Sequence, residues 1–133
     1  MNEQDIVTEA VDAFLRGEPA RSRSLLTDFL GGHPESASAW LTLGQILMRT
    51  GESDEGLNAL RNVPRLLPMD EMGYAELGAA YALLGHRELA SECENTALAL
   101  ADKALVDGAD EYLQLLNVLA RVQLALNGKG GGK

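Results

Sequence analysis

The sequence predicts an all-α protein built from helix pairs that repeat along the chain. Three observations carry this. First, glycines recur at one interval: Gly17, Gly51 and Gly85 are 34 residues apart (17 to 51, 51 to 85), and so are Gly44 and Gly78. Second, other residue types keep the same register. Pro34 pairs with Pro68, and Trp40 pairs with Tyr74, with Ile6 one period upstream. Third, the composition is rich in Ala and Leu and only 5% aromatic, and both of those residues lose little freedom in a helix.

Each element has a local reason. "MNEQDIVTEAVDAF" is acidic and amphipathic and reads as a first helix over 3–16, with a second over 19–31. Pro34 cannot continue a preceding helix, so a third starts near 37. Trp40, Leu43, Gly44 and Leu47 recur at i, i+3, i+4 and i+7, one helical face, in a helix over 37–50. Gly44 carries no side chain and lets a neighbouring helix come close. "RTGES" and "LLGHR" are turns with glycine in the left-handed position that ends a helix, and Ser53 is suited to cap the helix that follows. That fourth helix spans 54–63, because Pro64 should end or kink it. Pro68 marks the next break. Asp70 and Glu71 start a fifth helix over 71–84, where acid suits the dipole. A sixth covers 87–106, with Leu89, Cys93, Ala97 and Leu100 along one stripe. A seventh, "DEYLQLLNVLARVQLALNG", covers 110–127. Its apolar residues Tyr112, Leu115, Leu116 and Leu119 copy the first-helix pattern four residues late (112 against 108), so the sixth helix should be one turn longer than usual. Leu113, Val118 and Leu124 lie off its main stripe, as a second contact surface such as a dimer interface would require.

A 34-residue period is the length of the tetratricopeptide repeat (TPR), and the residues resemble that family. The middle unit matches at Trp40, Leu43, Gly44, Leu47, Gly56, Leu60, Val63 and Pro68. The next matches at Tyr74, Leu77, Gly78, Tyr81, Ala90 and Ala97. The first is sparser, with Ile6, Ala10, Ala13, Leu26, Phe29 and Pro34. The resemblance covers about residues 3–106. Departures are Glu9 and Glu94 at usually apolar positions, Ser22 at the small one and Asp102 where a third proline would fall. It implies a right-handed TPR solenoid of about three helix-turn-helix repeats (3–36, 37–70, 71–106) plus a C-terminal capping helix, in one domain spanning 1–127. Residues 128–133, "GKGGGK", are expected from their composition to be a flexible Gly/Lys tail. No unit can bury its apolar face alone, so stacking makes the core.

Charge and composition narrow the functions. The 133 residues carry a net charge of -9, with 20 acidic side chains against 11 basic ones. Phosphate backbones and anionic membrane surfaces both call for clustered Lys and Arg, so nucleic acid and membrane are not expected partners. No stretch reaches the roughly 18 apolar residues of a membrane span. The N-terminus lacks the basic start and apolar run of a signal peptide, and the one cysteine, Cys93, can form no internal disulfide. The expectation is a soluble cytoplasmic protein.

Catalysis is not expected. His86 and Cys93 are about 10 Å apart along a helix, too far to share a metal, and Cys93 has no base in view to make it a nucleophile. Carboxylates one or two positions apart, such as Asp70 and Glu71 or Glu92 and Glu94, point apart on a helix. No P-loop, dinucleotide fingerprint or nucleophile elbow is present, and no cofactor or metal is implied.

What the resemblance does imply is a protein or peptide partner. TPR stacks use the concave groove lined by the first helix of each unit. By register, that groove holds Val7, Val11, Phe14, Leu41, Gln45, Met48, Met72, Ala75, Ala79 and Leu83, and an apolar set of this kind suits an amphipathic helix or an apolar segment. TPR co-chaperones that grip acidic chaperone tails carry Lys, Asn and Arg where this chain has Val7, Val11, Leu41, Ala75 and Ala79, so an acidic tail is not the expected ligand. Size, charge and groove are similar to the small TPR-type chaperones of bacterial type III secretion. The alternative is a structural TPR module that self-associates, as a homodimer, through its C-terminal helix.

Overall fold

The computed structural model describes residues 2–104 together with 118, 120 and 121. Among the described residues there are six helices and no strand: α1 (Glu3–Leu15), α2 (Pro19–Gly32), α3 (Ala37–Arg49), α4 (Ser53–Leu66), α5 (Glu71–Leu83) and α6 (Arg87–Ala104). Residues 118, 120 and 121 are also helical; the rest of the helix expected over 110–127 lies outside the described residues. The chain divides into two compact units, Met1–Leu67 and Pro68–Lys133. The first holds α1–α4 and the second holds α5 and α6.

The repeat is visible first in the backbone. Each first helix of a pair ends on a glycine with positive φ: Gly17 at 83°, Gly51 at 85° and Gly85 at 85°. In each case the next residue's N–H reaches back across the turn, from Glu18 to the Ala13 carbonyl, from Glu52 to Leu47 and from His86 to Tyr81, all at 2.9 Å. This is the left-handed helix stop that glycine makes at no steric cost. The helix starts repeat too. Asn2, Ser36 and Asp70 each cap a first helix, their side-chain oxygens accepting from the N–H of Asp5 (2.8 Å), Ala39 (3.3 Å) and Met72 (3.0 Å). These three also stand 34 apart (2 to 36, 36 to 70) and all are good N-cap types.

Two local expectations are corrected. Ser53 is not a cap: it is the first residue of α4, Glu52 is the N-cap, and no side-chain cap bond forms there. The turn places Glu52 at the boundary, and its carboxylate is taken by Thr50 Oγ1 at 2.9 Å and by Arg23. Pro64 does not end α4, which runs on to Leu66 and closes with Leu67 N–H on the Val63 carbonyl at 2.8 Å. So close to the helix end, a proline forfeits one hydrogen bond and the remaining turn still forms.

In the first unit α1 packs on α2, α3 on α4, and α3 on both α1 and α2. Ile6, Ala10, Leu26, Leu30, Leu43 and Leu47 form its buried cluster, with Phe14, Phe29 and Trp40 packed against it. Glycine sets the α3–α4 spacing. A Cβ built on Gly44 would sit 2.5 Å from Leu60 Cγ, and one on Gly56 would sit 3.0 Å from Met48 Sδ. The departure at Ser22 is absorbed by its hydroxyl. The residue is fully buried, and Oγ donates to the Ala10 carbonyl at 2.7 Å, joining α2 to α1. In the second unit α5 packs on α6, and a Cβ on Gly78 would lie 3.1 Å from Cys93 Cβ.

Candidate functional site

The buried stripe of α1 is Ile6, Ala10 and Ala13. That stripe already ties the helix to its unit. Val7, Val11 and Leu15, at i, i+4 and i+8, make a second apolar row: Val7 is half-buried, Val11 is 38% exposed and Leu15 73%. On α3, Thr42, Leu43, Gly44, Ile46 and Leu47 are buried, while Leu41, Gln45 and Met48 stay half-buried. Phe14 is half-buried and rests on the core cluster. Met48 turns its thioether towards Gly56 of α4. The part of the expected groove that remains open in this unit is therefore Val7, Val11, Leu41 and Gln45, with Leu15 added. Leu15 stands in register with Arg49 and Leu83 (15 to 49, 49 to 83) and lies in the last turn of α1, beside the glycine stop.

The second unit is different. Of its four expected groove residues, Leu83 is 53% exposed and Met72 half-buried, but Ala75 and Ala79 are buried at 0% and 7%. Small side chains let helix backbones approach closely, and approach removes them from the surface. Ala75 belongs to a cluster with Ala97, Ala101 and Val118, on which Met72 and Tyr74 pack. Ala79 therefore cannot accept a charge in water.

Several polar contacts join residues that no local sequence pattern pairs. Arg23 of α2 bridges Glu52 and Glu55 at the start of α4. Glu3 accepts from the Ser36 hydroxyl, tying the first helix starts of two repeats together. Glu9, on α1, pairs with Arg21 at 3.3 Å. Glu76 of α5 is a buried carboxylate, 7% exposed, paired with Arg121 at 2.8 Å. A shallow cleft beside α2, α3 and α4 is lined by Trp40, Leu43, Leu47, Asn58 and Asn62 among others, and the Trp40 Nε1 donates to the Pro34 carbonyl at 2.8 Å.

His86 and Cys93 both contact neighbouring residues of the second unit. The His86 ring meets Tyr81 edge-on at 5.9 Å, and Cys93 lies beside Gly78. Burial, with Glu92 adding to it, pushes the Cys93 thiol up to about 11, which keeps it protonated and unreactive near neutrality. The buried stripe of α6 is Ala90, Ala97 and Ala101; Leu89 of the expected stripe is 42% exposed. Among the described residues no His, Cys, Asp and Glu cluster could hold a metal ion, and no helix is long and apolar enough to cross a membrane.

Paired helices, glycine-closed turns at a fixed interval and close crossings at Gly44 and Gly78 define an all-α helical repeat of TPR-like fold. Comparison with solved structures agrees. The chain is similar to a crystal structure of MamA, a TPR-containing protein, with a TM-score of 0.68 and 16% identity over 98% of this chain and 81% of that one. A second MamA crystal structure gives 0.63 and 18% over 96% and 84%. No protein-family profile matches the chain, and no curated protein matches it.

Proposed function

We propose that this chain is a non-catalytic protein-binding module, an adaptor or chaperone, that takes an amphipathic helix or apolar segment on the exposed face of α1 and α3. The observation that carries the reading is the second apolar row of α1. Ile6, Ala10 and Ala13 already serve the core, so Val7, Val11 and Leu15 are surplus to folding, and Leu41 on α3 extends the same apolar character. A helix presenting apolar residues at i, i+3, i+4 and i+7 fits such a face. Glu3, Asp5 and Asp12 are exposed on α1 and favour a ligand with basic flanks. Shielding a helical export substrate, as small type III secretion chaperones do, is the most specific form of this reading.

The test is a displayed library of helical peptides selected on the wild-type chain. Enriched peptides should be amphipathic, and their binding should collapse on Val11→Asp and Leu41→Asp. A charge at either position would be buried unpaired only in the complex. Val11→Asp should cost the free protein about 1 kcal/mol or less, as at a surface site. Asp28→Lys, an exposed change on α2, should leave binding intact. Peptides that bind Val11→Asp and Leu41→Asp as tightly as wild type would move the site elsewhere.

A further inference from the structure

The second unit buries a carboxylate. Glu76 lies on α5 with its side chain 7% exposed, and its Oε1 accepts from Arg121 Nη2 at 2.8 Å. Three residues before that arginine, Val118 joins Ala75, Ala97 and Ala101 in a buried cluster, with Met72 and Tyr74 packed on it. The chemistry of this face is specific. A carboxylate withdrawn from water needs a cation, and the guanidinium fork supplies one with directed hydrogen bonds. The wall beside it is mostly alanine, whose short side chains leave room for a branched apolar side chain. Residues three apart share one helical face, so an apolar residue followed three positions later by Arg satisfies both needs at once. Arg121 does this from the solvent side, with half its side chain, 51%, exposed, while Val118, 4% exposed, is the buried anchor between α5 and α6.

We propose that the α5 face formed by Met72, Tyr74, Ala75 and Glu76 is a helix-docking site, occupied in the folded chain by its own Val118 and Arg121. It accepts an external helix of the same pattern only by displacing that internal ligand. The site lies in the other unit from α1 and α3, so it stands or falls apart from the function proposed above. A tethered occupant acts at a high effective concentration, and the wild-type chain should therefore bind a free copy of its own segment weakly.

The experiment uses the full chain and a fluorescein-labelled synthetic peptide of residues 112–127, followed by anisotropy. Arg121→Glu in the chain sets two carboxylates against each other and weakens the internal ligand. The native peptide should then bind about tenfold more tightly or better than it binds wild type. Adding Glu76→Gln to that chain should remove the gain, because the peptide's arginine loses its carboxylate. A peptide carrying the Arg121→Glu change should not bind either chain. Equal affinity for wild type and Arg121→Glu overturns the proposal, and so does a gain that survives Glu76→Gln. If Arg121→Glu does not fold, Arg121→Gln should show the same order with a smaller gain, and a folded Arg121→Gln chain with no gain overturns it as well.

Discussion

Replacing Gly44 by alanine tests whether the α3–α4 contact is as close as the geometry requires. The new Cβ would stand 2.5 Å from Leu60 Cγ, 2.6 Å from Leu60 Cδ2 and 3.2 Å from the Gly56 carbonyl oxygen. Carbon atoms in contact sit at about 3.5–4.0 Å, so Leu60 or the helix spacing must give by roughly 1 Å. Leu60 is 2% exposed, and the clash falls on its branch point rather than a free tip. Overpacking of this kind costs about 1–3 kcal/mol. Alanine recovers about 1 kcal/mol of helix propensity over glycine. The clash with a branch atom puts the first figure in its upper half, leaving about 1–2 kcal/mol of net loss. Thermal unfolding followed by circular dichroism should show a drop of roughly 4–8 °C. Gly78→Ala is the internal comparison. Its Cβ would meet Cys93 Cβ at 3.1 Å and the Ala90 carbonyl at 3.4 Å, a strain small enough for the propensity gain to offset. That variant should melt within a few degrees of wild type. A double-mutant cycle of Gly44→Ala with Leu60→Ala should show coupling of about 1 kcal/mol or more, since removing Leu60's branch removes the clash. A Gly44→Ala chain that melts at or above the wild-type temperature would refute the argument.

Three further outcomes follow from named contacts. Ser22→Ala removes the hydroxyl donated to the Ala10 carbonyl at 2.7 Å and should cost about 1 kcal/mol in a thermal melt. Pro64→Ala restores the missing N–H inside α4 and should raise the melting temperature by a few degrees. The Cys93 thiol, pushed up from 9.0 to about 11 by burial and then by Glu92, should hold about a hundredfold less thiolate at pH 8 than the unfolded chain, so alkylation should be far slower in the folded state. Its folded pKa lies above its unfolded one, so its contribution to stability is complete below about pH 9 and is lost as pH rises towards 11. Denaturant unfolding across that window should show the decline, and Cys93→Ala should flatten it.

The helix starts and stops were legible because they depend on a few neighbouring residues. Gly17, Gly51 and Gly85 take up positive φ where the repeat placed them. The caps Asn2, Ser36 and Asp70 follow the same interval and could have been found by extending the register to N-cap types. At Ser53 and Pro64 position outweighs propensity: a capping residue one position late does not cap, and a proline near a helix end does not stop it. The candidate site was less legible. Val7, Val11 and Leu41 keep surface where the register put it, whereas Ala75 and Ala79 do not. A small residue reads equally well as groove floor or as packing, and only the neighbour that meets it decides.

By itself, then, the amino-acid sequence determined the fold class, the interval, the glycine turns and the close crossings at Gly44 and Gly78. All of these rest on local backbone geometry and on the steric fact that glycine has no side chain. Only the tertiary structure decided which apolar residues remain exposed on α1, that Arg23 reaches Glu52 and Glu55, and that Glu76 is buried against Arg121. Those partners lie 29, 32 and 45 residues apart. Whether two such side chains meet depends on how each helix is rotated and spaced against its neighbour, which the packing of the whole unit sets and no local pattern encodes.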